Sequence, residues 1–193
     1  MKLLVVDCCI RGSESRTEKL YKEYLKHLSG KWDVEILKLA EEDLKPLNAK
    51  NIVERDRCVK EGCLTDPLLR YANAFKDADR IVVAAPYWDL SFPSLLKVYF
   101  EYVSVSGVTF GYEGADCVGY CKADRLVYLS TCGGYIQGRH LGAEYVEALA
   151  AMLGIDEFYE FSVQGLDIDP TKVQEIMERE TANMIEKMEN NLL

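Results

Sequence analysis

The fold is decided by residues 84–112, which read AAPYWDLSFPSLLKVYFEYVSVSGVTFGY. The preceding run RIVVA at residues 80–84 is apolar after Arg80 and predicts a buried strand. That strand leads into Pro86, Tyr87 and Trp88, and a very apolar helix then begins at Pro93. Backbone and aromatic rings directly after a strand suit a flat ligand, because open α/β sheets bind ligands at the carboxyl ends of their strands.

Strand and helix patterns alternate along the chain, which predicts a parallel sheet covered by helices on both faces. The predicted strands are 3–8, 34–39, 80–85, 125–130 and 157–163. Predicted helices run from about Ser15 to Gly30, from Pro93 to about Val105, from Leu141 to Gly154, and onward from Asp169-Pro170. This pattern favours one α/β domain over residues 1–193, a flavodoxin-like three-layer sandwich with strand order 2-1-3-4-5. Residues 41–66 fit no element and are expected to form a long loop, either a lid or a dimer arm.

Composition excludes several classes of protein. The net charge is −9 with no basic stripe, so a nucleic-acid partner is not expected. No apolar run is long enough to cross a membrane, and the opening MKLLVVD is too short for a signal peptide. Seven scattered cysteines favour reduced thiols and a cytoplasmic location. The pairs Cys58/Cys63 and Cys117/Cys121 lack zinc-site spacing, so no metal is expected.

The first strand-to-helix turn, residues 8–18, reads CCIRGSESRTE. Its hydroxyl and arginine side chains lie at a helix N-terminus, whose free N–H groups and dipole can hold a phosphate. A capping box of Ser15 and Glu18 explains part of the pattern and is compatible with phosphate binding. A phosphatase of the small α/β type is disfavoured, because Cys9 to Arg16 is one residue longer than C-x5-R.

A third candidate loop, residues 130–135, reads STCGGY and follows the fourth predicted strand. Its paired glycines allow the backbone to approach a ligand closely, although a plain glycine turn would look the same. His140 follows this loop and could reach a substrate or serve near the start of the next helix. Three loops of compatible chemistry after strands one, three and four favour one ligand site.

With these loops, the chain resembles the FMN-dependent NAD(P)H:quinone and azo reductases of the flavodoxin-like superfamily. The most specific block is the Ala-Pro-aromatic loop at residues 85–87, with PSLLK at 93–97 and GVTF at 107–110. The resemblance implies that Ser15, Arg16 and Thr17 bind the FMN phosphate, that residues 86–90 line the isoalloxazine edge, and that residues 131–135 meet its pyrimidine side. The candidate cofactor-binding residues are Cys9, Arg11, Ser13, Ser15, Arg16, Thr17, Pro86, Tyr87, Trp88, Asp89, Leu90, Thr131, Cys132, Gly133, Gly134 and Tyr135.

The resemblance also implies a ping-pong hydride transfer from NADH or NADPH through FMN to a quinone, an azo compound or a similar acceptor. No protein nucleophile is assigned, and Phe110 and His140 are candidate substrate contacts. The chain departs from the residues common in the family at three positions. It has Cys9 where the family often has serine, Asp89 where it has asparagine, and Cys132 where it has arginine. Two alternatives stay open, an electron-transfer flavoprotein and a flavin-binding sensor.

A homodimer with shared active sites is expected from the predicted helix that begins at Pro93. Its apolar residues surround most of the helical wheel, so a second chain is the simplest cover for the face turned away from the sheet. Leu96 and Phe100 are the predicted interface contacts. Phe110 and Tyr112 are the predicted shared wall of the flavin site.

Overall fold

The computed structural model describes residues 1–190 and residue 193. The strands in this part of the chain are Lys2–Asp7 (β1), Asp33–Lys38 (β2), Arg80–Ala84 (β3), Phe110–Glu113 (β4), Asp116–Gly119 (β5), Arg125–Thr131 (β6) and Glu157–Val163 (β7). The helices are Arg16–His27 (α1), Ala49–Lys60 (α2), Arg70–Asp77 (α3), Ser94–Val103 (α4), Leu141–Met152 (α5) and Val173–Glu189 (α6).

The main sheet is parallel and has the order β2-β1-β3-β6-β7. This is the predicted order 2-1-3-4-5, because β4 and β5 form a separate hairpin. Each of the five predicted strands is present, with ends displaced by no more than about one residue, which is the usual uncertainty of an element boundary.

Alternation along the strands produces the three layers. Leu3 and Val5 of β1 pack with residues of α1 and α6, whereas Leu4 and Val6 pack with residues of α3, α4 and α5. Successive strand residues point to opposite faces, so each face of an interior strand builds its own core. The three-layer flavodoxin-like prediction is therefore confirmed.

The prediction that residues 41–66 form a loop is wrong, because this segment contains α2. Asn48 caps the helix, with its side chain accepting from the Asn51 N–H at 3.1 Å. The helix lacks an apolar stripe, and Cys58 is its buried residue. Its last turn packs on a small cluster with Leu69 and Val105. Apolar periodicity therefore gave no signal for this helix.

The β4–β5 hairpin was also not predicted. Its strands are four residues each and pair from Phe110 with Gly119 to Glu113 with Asp116. Gly119 lies directly on the backbone of Leu153, where a Cβ would be 1.9 Å from the carbonyl carbon. The hairpin is thereby docked against the C-terminal end of α5.

Helix α4 is covered within one chain. Leu96 and Phe100 are 0 % and 1 % exposed. Phe100 contacts the Tyr145 ring of α5, and the neighbouring Tyr99 contacts the Tyr71 ring of α3. The prediction that Leu96 and Phe100 form dimer contacts is therefore wrong, because both belong to the core of the single chain. Across the described residues, no helix is long and apolar enough to span a membrane.

Candidate functional site

A cavity of about 320 Å³ opens at the carboxyl edge of the sheet, beyond β1, β3, β6 and β7. The three predicted loops meet there. The candidate residues that line it are Arg11, Ser15, Arg16, Pro86, Tyr87, Trp88, Thr131, Cys132 and Gly133. Ile10, Glu14, Leu166 and Asp167 also line it and were missed by sequence reasoning.

Backbone hydrogen bonds continue past the strand ends and hold these loops together. Tyr87 donates its N–H to the Thr131 carbonyl at 2.9 Å. Asp167, in the loop after β7, donates to the Gly133 carbonyl at 2.7 Å. The loop after β7 is therefore a fourth wall of the cavity. The sequence predicted β7 but not the role of the loop that follows it. Because the carboxyl ends of neighbouring parallel strands meet at one edge of the sheet, the position of β7 beside β6 could have indicated this wall.

The N-terminus of α1 forms one end of the cavity. Ser15 is the N-cap, and its Oγ accepts from the Glu18 N–H at 3.3 Å. Glu18 does not complete a capping box, since the Ser15 N–H donates to Gly12 and the Glu18 carboxylate pairs with Lys22. The N–H groups of Arg16 and Thr17 have no partner among the described residues. These free donors and the helix dipole make this end of the cavity suited to an anion.

The Thr17 hydroxyl at this end of the cavity has a buried partner within the chain. Its side chain is fully buried, and its Oγ1 lies 2.6 Å from the Thr131 Oγ1. This bond ties α1 to the end of β6, because the two hydroxyls can satisfy each other where water is excluded. The predicted role of Thr17 as a side-chain phosphate ligand therefore stays a prediction.

A second tie crosses the cavity between Arg16 and Asp167. The Arg16 guanidinium donates to the Asp167 carboxylate at 2.7 Å. That carboxylate lies against Gly133, where an added Cβ would be 2.1 Å from Asp167 Oδ2. At Gly134, by contrast, a Cβ would meet nothing within 4 Å. Gly133 therefore makes room for the Asp167 carboxylate. From the sequence, this glycine had instead been explained by the close approach of a ligand.

The loop after β3 is a tight two-residue hairpin. Trp88 and Ser91 exchange backbone hydrogen bonds at 3.1 and 2.8 Å, and Asp89 and Leu90 between them have φ of 48° and 68°. Positive φ at both central residues defines a type I′ turn, in which aspartate is a favoured residue. Asp89 and Leu90 are exposed at the tip and do not line the cavity. The aspartate is thus explained by the turn.

Trp88 and Tyr87 form the aromatic end of the cavity. Trp88 is 41 % exposed, whereas Tyr87 is half-buried behind it. Tyr135, 66 % exposed, lies outside the cavity lining and packs against Gly165. Ser13 is exposed in a 3-10 turn at Gly12–Glu14. These two residues lie near the cavity without lining it.

The buried cysteines at the end of β1 are neutral thiols. The Cys9 N–H donates to the Asp7 carboxylate at 2.8 Å. Burial and the neighbouring Asp7 charge raise the pKa of both thiols, that of Cys8 to about 12. A thiolate nucleophile is therefore disfavoured at this turn. Cys132 lines the cavity, and burial also raises its pKa.

His140 and Phe110, the candidate substrate contacts, do not line the cavity. The His140 side chain is 9 % exposed, and its Nδ1 caps α5 by accepting from the Ala143 N–H at 2.9 Å. The structure therefore places His140 at the cap of α5, outside the lining of the cavity. Phe110 lies half-buried on β4, edge-on to Tyr112. Within residues 1–190 and 193, no group of three or more His, Cys, Asp or Glu side chains is arranged to hold a metal.

The cavity combines an anion site with an aromatic wall. Arg11 and Arg16 line the cavity together with Glu14 and Asp167, and Arg16 pairs with Asp167. The chain as a whole carries −9, so an anionic ligand must be held by these local groups. Such a site suits a ligand with a phosphate at one end and a flat ring system at the other.

Comparison with known proteins places the chain in a class. Residues 1–188 match the family model described as "Flavodoxin-like fold", so the chain belongs to that family. A solved azoreductase from Bacillus anthracis superposes with a TM-score of 0.82 at 23 % identity, covering 96 % of this chain and 97 % of that one. At that identity the likeness supports the fold.

Curated relatives narrow the class. The chain is 32 % identical over 183 residues to a Clostridium perfringens protein named FMN-dependent NADH:quinone oxidoreductase, with 92 % of each chain covered. A Clostridium beijerinckii protein of the same name is 33 % identical over 144 residues, covering 74 % of this chain and 73 % of that one. The chain is therefore a member of the family that contains these oxidoreductases.

Proposed function

We propose that the protein is an FMN-dependent oxidoreductase that transfers two electrons from NADH to quinones, azo compounds or similar acceptors. The observation that carries this proposal is the cavity itself, with unpaired helix N–H groups at one end and Tyr87 and Trp88 at the other. The names of the curated relatives support FMN, NADH and a quinone acceptor. The sequence alone left NADH and NADPH open.

The residues present fit FMN. The free N–H groups of Arg16 and Thr17, with the Arg11 and Arg16 guanidinium groups, would hold its phosphate. The cavity lacks a second turn of this kind among its lining residues, which supports a mononucleotide rather than FAD. Each charge-assisted hydrogen bond to the phosphate would contribute roughly 1.5–3 kcal/mol.

Bound FMN would supply the atom that accepts and then donates the hydride. Pro86, Tyr87 and Trp88 would hold its ring system in place, and the exposed part of Trp88 would leave room for a flat acceptor. Donor and acceptor would use the same opening in turn, which supports the ping-pong order. The Gly133 N–H, which has no partner among the described residues, would favour negative charge at the ring.

Two broader parts of the proposal concern location and assembly. A cytoplasmic protein is proposed, because the described cysteines are free thiols. A homodimer is also proposed. Its interface would use the partly exposed face of α4, which carries Leu95 and Val98, in place of the buried residues Leu96 and Phe100. In such a dimer Phe110 and Tyr112 would be available to a partner's site.

The test begins with the purified protein, its released cofactor and its NADH oxidation with a soluble benzoquinone. FMN in the supernatant after denaturation, and quinone-dependent NADH oxidation, would support the proposal. Trp88→Ala should weaken the reaction, whereas Tyr120→Ala removes an aromatic of similar exposure outside the cavity, 38 % against 41 %, and serves as the matched control.

Several outcomes would contradict the proposal. FAD as the released cofactor would refute the mononucleotide assignment. Flavin that exchanges electrons with a protein partner but leaves NADH and quinone unreacted would favour the electron-transfer alternative. Cys9→Ser should keep activity, so phosphatase turnover that is lost in this variant would overturn the assignment.

A further inference from the structure

The His140 imidazole is fixed from two sides below the aromatic loop. Its Nδ1 accepts from the Ala143 N–H at 2.9 Å, so in the neutral ring the proton resides on Nε2. Nε2 lies 3.6 Å from Glu160 Oε1 and has no hydrogen-bond partner among the described residues. The helix cap holds the ring through Nδ1, and the Tyr128 ring meets it edge to face at a centroid distance of 5.7 Å.

Glu160 is itself held in place. Its Oε1 accepts from the Ser162 hydroxyl at 2.7 Å, and Ser162 lies 2.6 Å from the Ser130 hydroxyl. Ser130 belongs to β6, whose next residue, Thr131, lines the cavity. The carboxylate that faces the imidazole is therefore anchored to the end of β6.

The same imidazole supports Tyr87. The two rings meet edge to face, with centroids 5.1 Å apart and planes at 77°. At the other end of the hairpin, Gly142 approaches Ser91, where an added Cβ would be 3.2 Å from the Ser91 backbone. The N-terminal end of α5 thus contacts the hairpin that carries Trp88 on both sides of its turn, at Tyr87 and at Ser91.

We propose that His140 is a positioning residue, which holds the hairpin 87–91 in the conformation that forms the aromatic wall of the cavity. The hairpin needs such support because Leu90 has a positive φ, a conformation that a leucine keeps only when its surroundings enforce it. His140 thereby acts on the ligand through Tyr87. The importance of this positioning for flavin binding rests on the proposed function.

Two substitutions separate the roles of cap and ring. Asparagine in His140→Asn can still cap α5 but removes the ring from Tyr87. Phenylalanine in His140→Phe keeps a ring against Tyr87 but removes the cap. Hydrogen exchange at the bonded Trp88 and Ser91 amides, measured in FMN-free protein, reports on the hairpin without any ligand.

His140→Asn should keep the thermal midpoint while exchange at these two amides accelerates about 2- to 12-fold, the range that loss of one aromatic edge contact implies. Its FMN dissociation constant should rise within the same range. His140→Phe should show a lower thermal midpoint, with amide exchange and FMN affinity close to those of the wild type.

Unchanged exchange and FMN affinity in His140→Asn would overturn the inference, whatever the phenylalanine variant does. Loss of both properties in His140→Phe alone would assign His140 to the helix cap and would also overturn it. Should the wild-type protein bind no FMN, the proposed function fails, whereas the exchange comparison still decides the role of His140.

Discussion

The buried hydroxyl pair of Thr17 and Thr131 distinguishes a structural role from a ligand role. Thr17→Val keeps the shape of the side chain and leaves the Thr131 hydroxyl without its partner at 2.6 Å. Thr17 and Thr131 are 0 % and 8 % exposed, so water cannot readily replace the lost bond. The substitution should therefore lower the free energy of unfolding by about 1–3 kcal/mol.

The double variant gives the sharper expectation. Thr17→Val with Thr131→Val removes both polar groups, so its stability should return close to that of the wild type. Since either single substitution leaves one buried hydroxyl unpaired at a cost of about 1–3 kcal/mol, the interaction energy from the four proteins should be about 2–6 kcal/mol. In a domain of this size each lost kcal/mol lowers Tm by roughly 2–4 °C, which urea titration and thermal scans of the FMN-free protein can resolve.

FMN titration of the same variants completes the test. If the Thr17 hydroxyl served only α1 and β6, Thr17→Val would change the FMN dissociation constant much less than tenfold. A lost charge-assisted bond to phosphate would instead raise it roughly 10- to 150-fold. Unchanged stability together with such a loss of affinity would refute the structural role and restore the sequence-based assignment.

Three further predictions follow from the geometry. Leu90→Gly should raise the free energy of unfolding by about 0.5–1 kcal/mol, because glycine relieves the left-handed strain at φ 68°; a lower urea midpoint would contradict this. Gly133→Ala should displace the Asp167 carboxylate and lower stability by about 1 kcal/mol, and less in an Asp167→Ala background, by the same titration. Stability should fall from pH 9 towards pH 12, because burial raises the pKa of both Cys8 and Cys121 from 9.0 to about 12 and the folded state keeps protons that the unfolded chain loses; Cys8→Ala should make that slope shallower.

Elements with a strong local pattern were predictable. β3 is apolar from Ile81 to Ala84, as expected of a strand buried on both faces of a parallel sheet. β7 is an edge strand in which aromatic residues and valine stand among polar ones, and it was predicted with its observed ends. α2 has no apolar stripe and touches the core through its last turn, so periodicity could not reveal it. The β4–β5 hairpin is too short to show alternation.

The candidate site divides in the same way. The sequence by itself determined that loops after β1, β3 and β6 hold arginines, hydroxyls and aromatic rings, and a parallel sheet must bring those loops to one edge. Only the tertiary structure decided where each side chain goes. It pairs Thr17 with Thr131, sets Asp167 against Gly133, turns Asp89 to the tip of a hairpin and places His140 beneath Tyr87. Such contacts join residues far apart in the chain, and their energies depend on burial and distance, which no local pattern encodes.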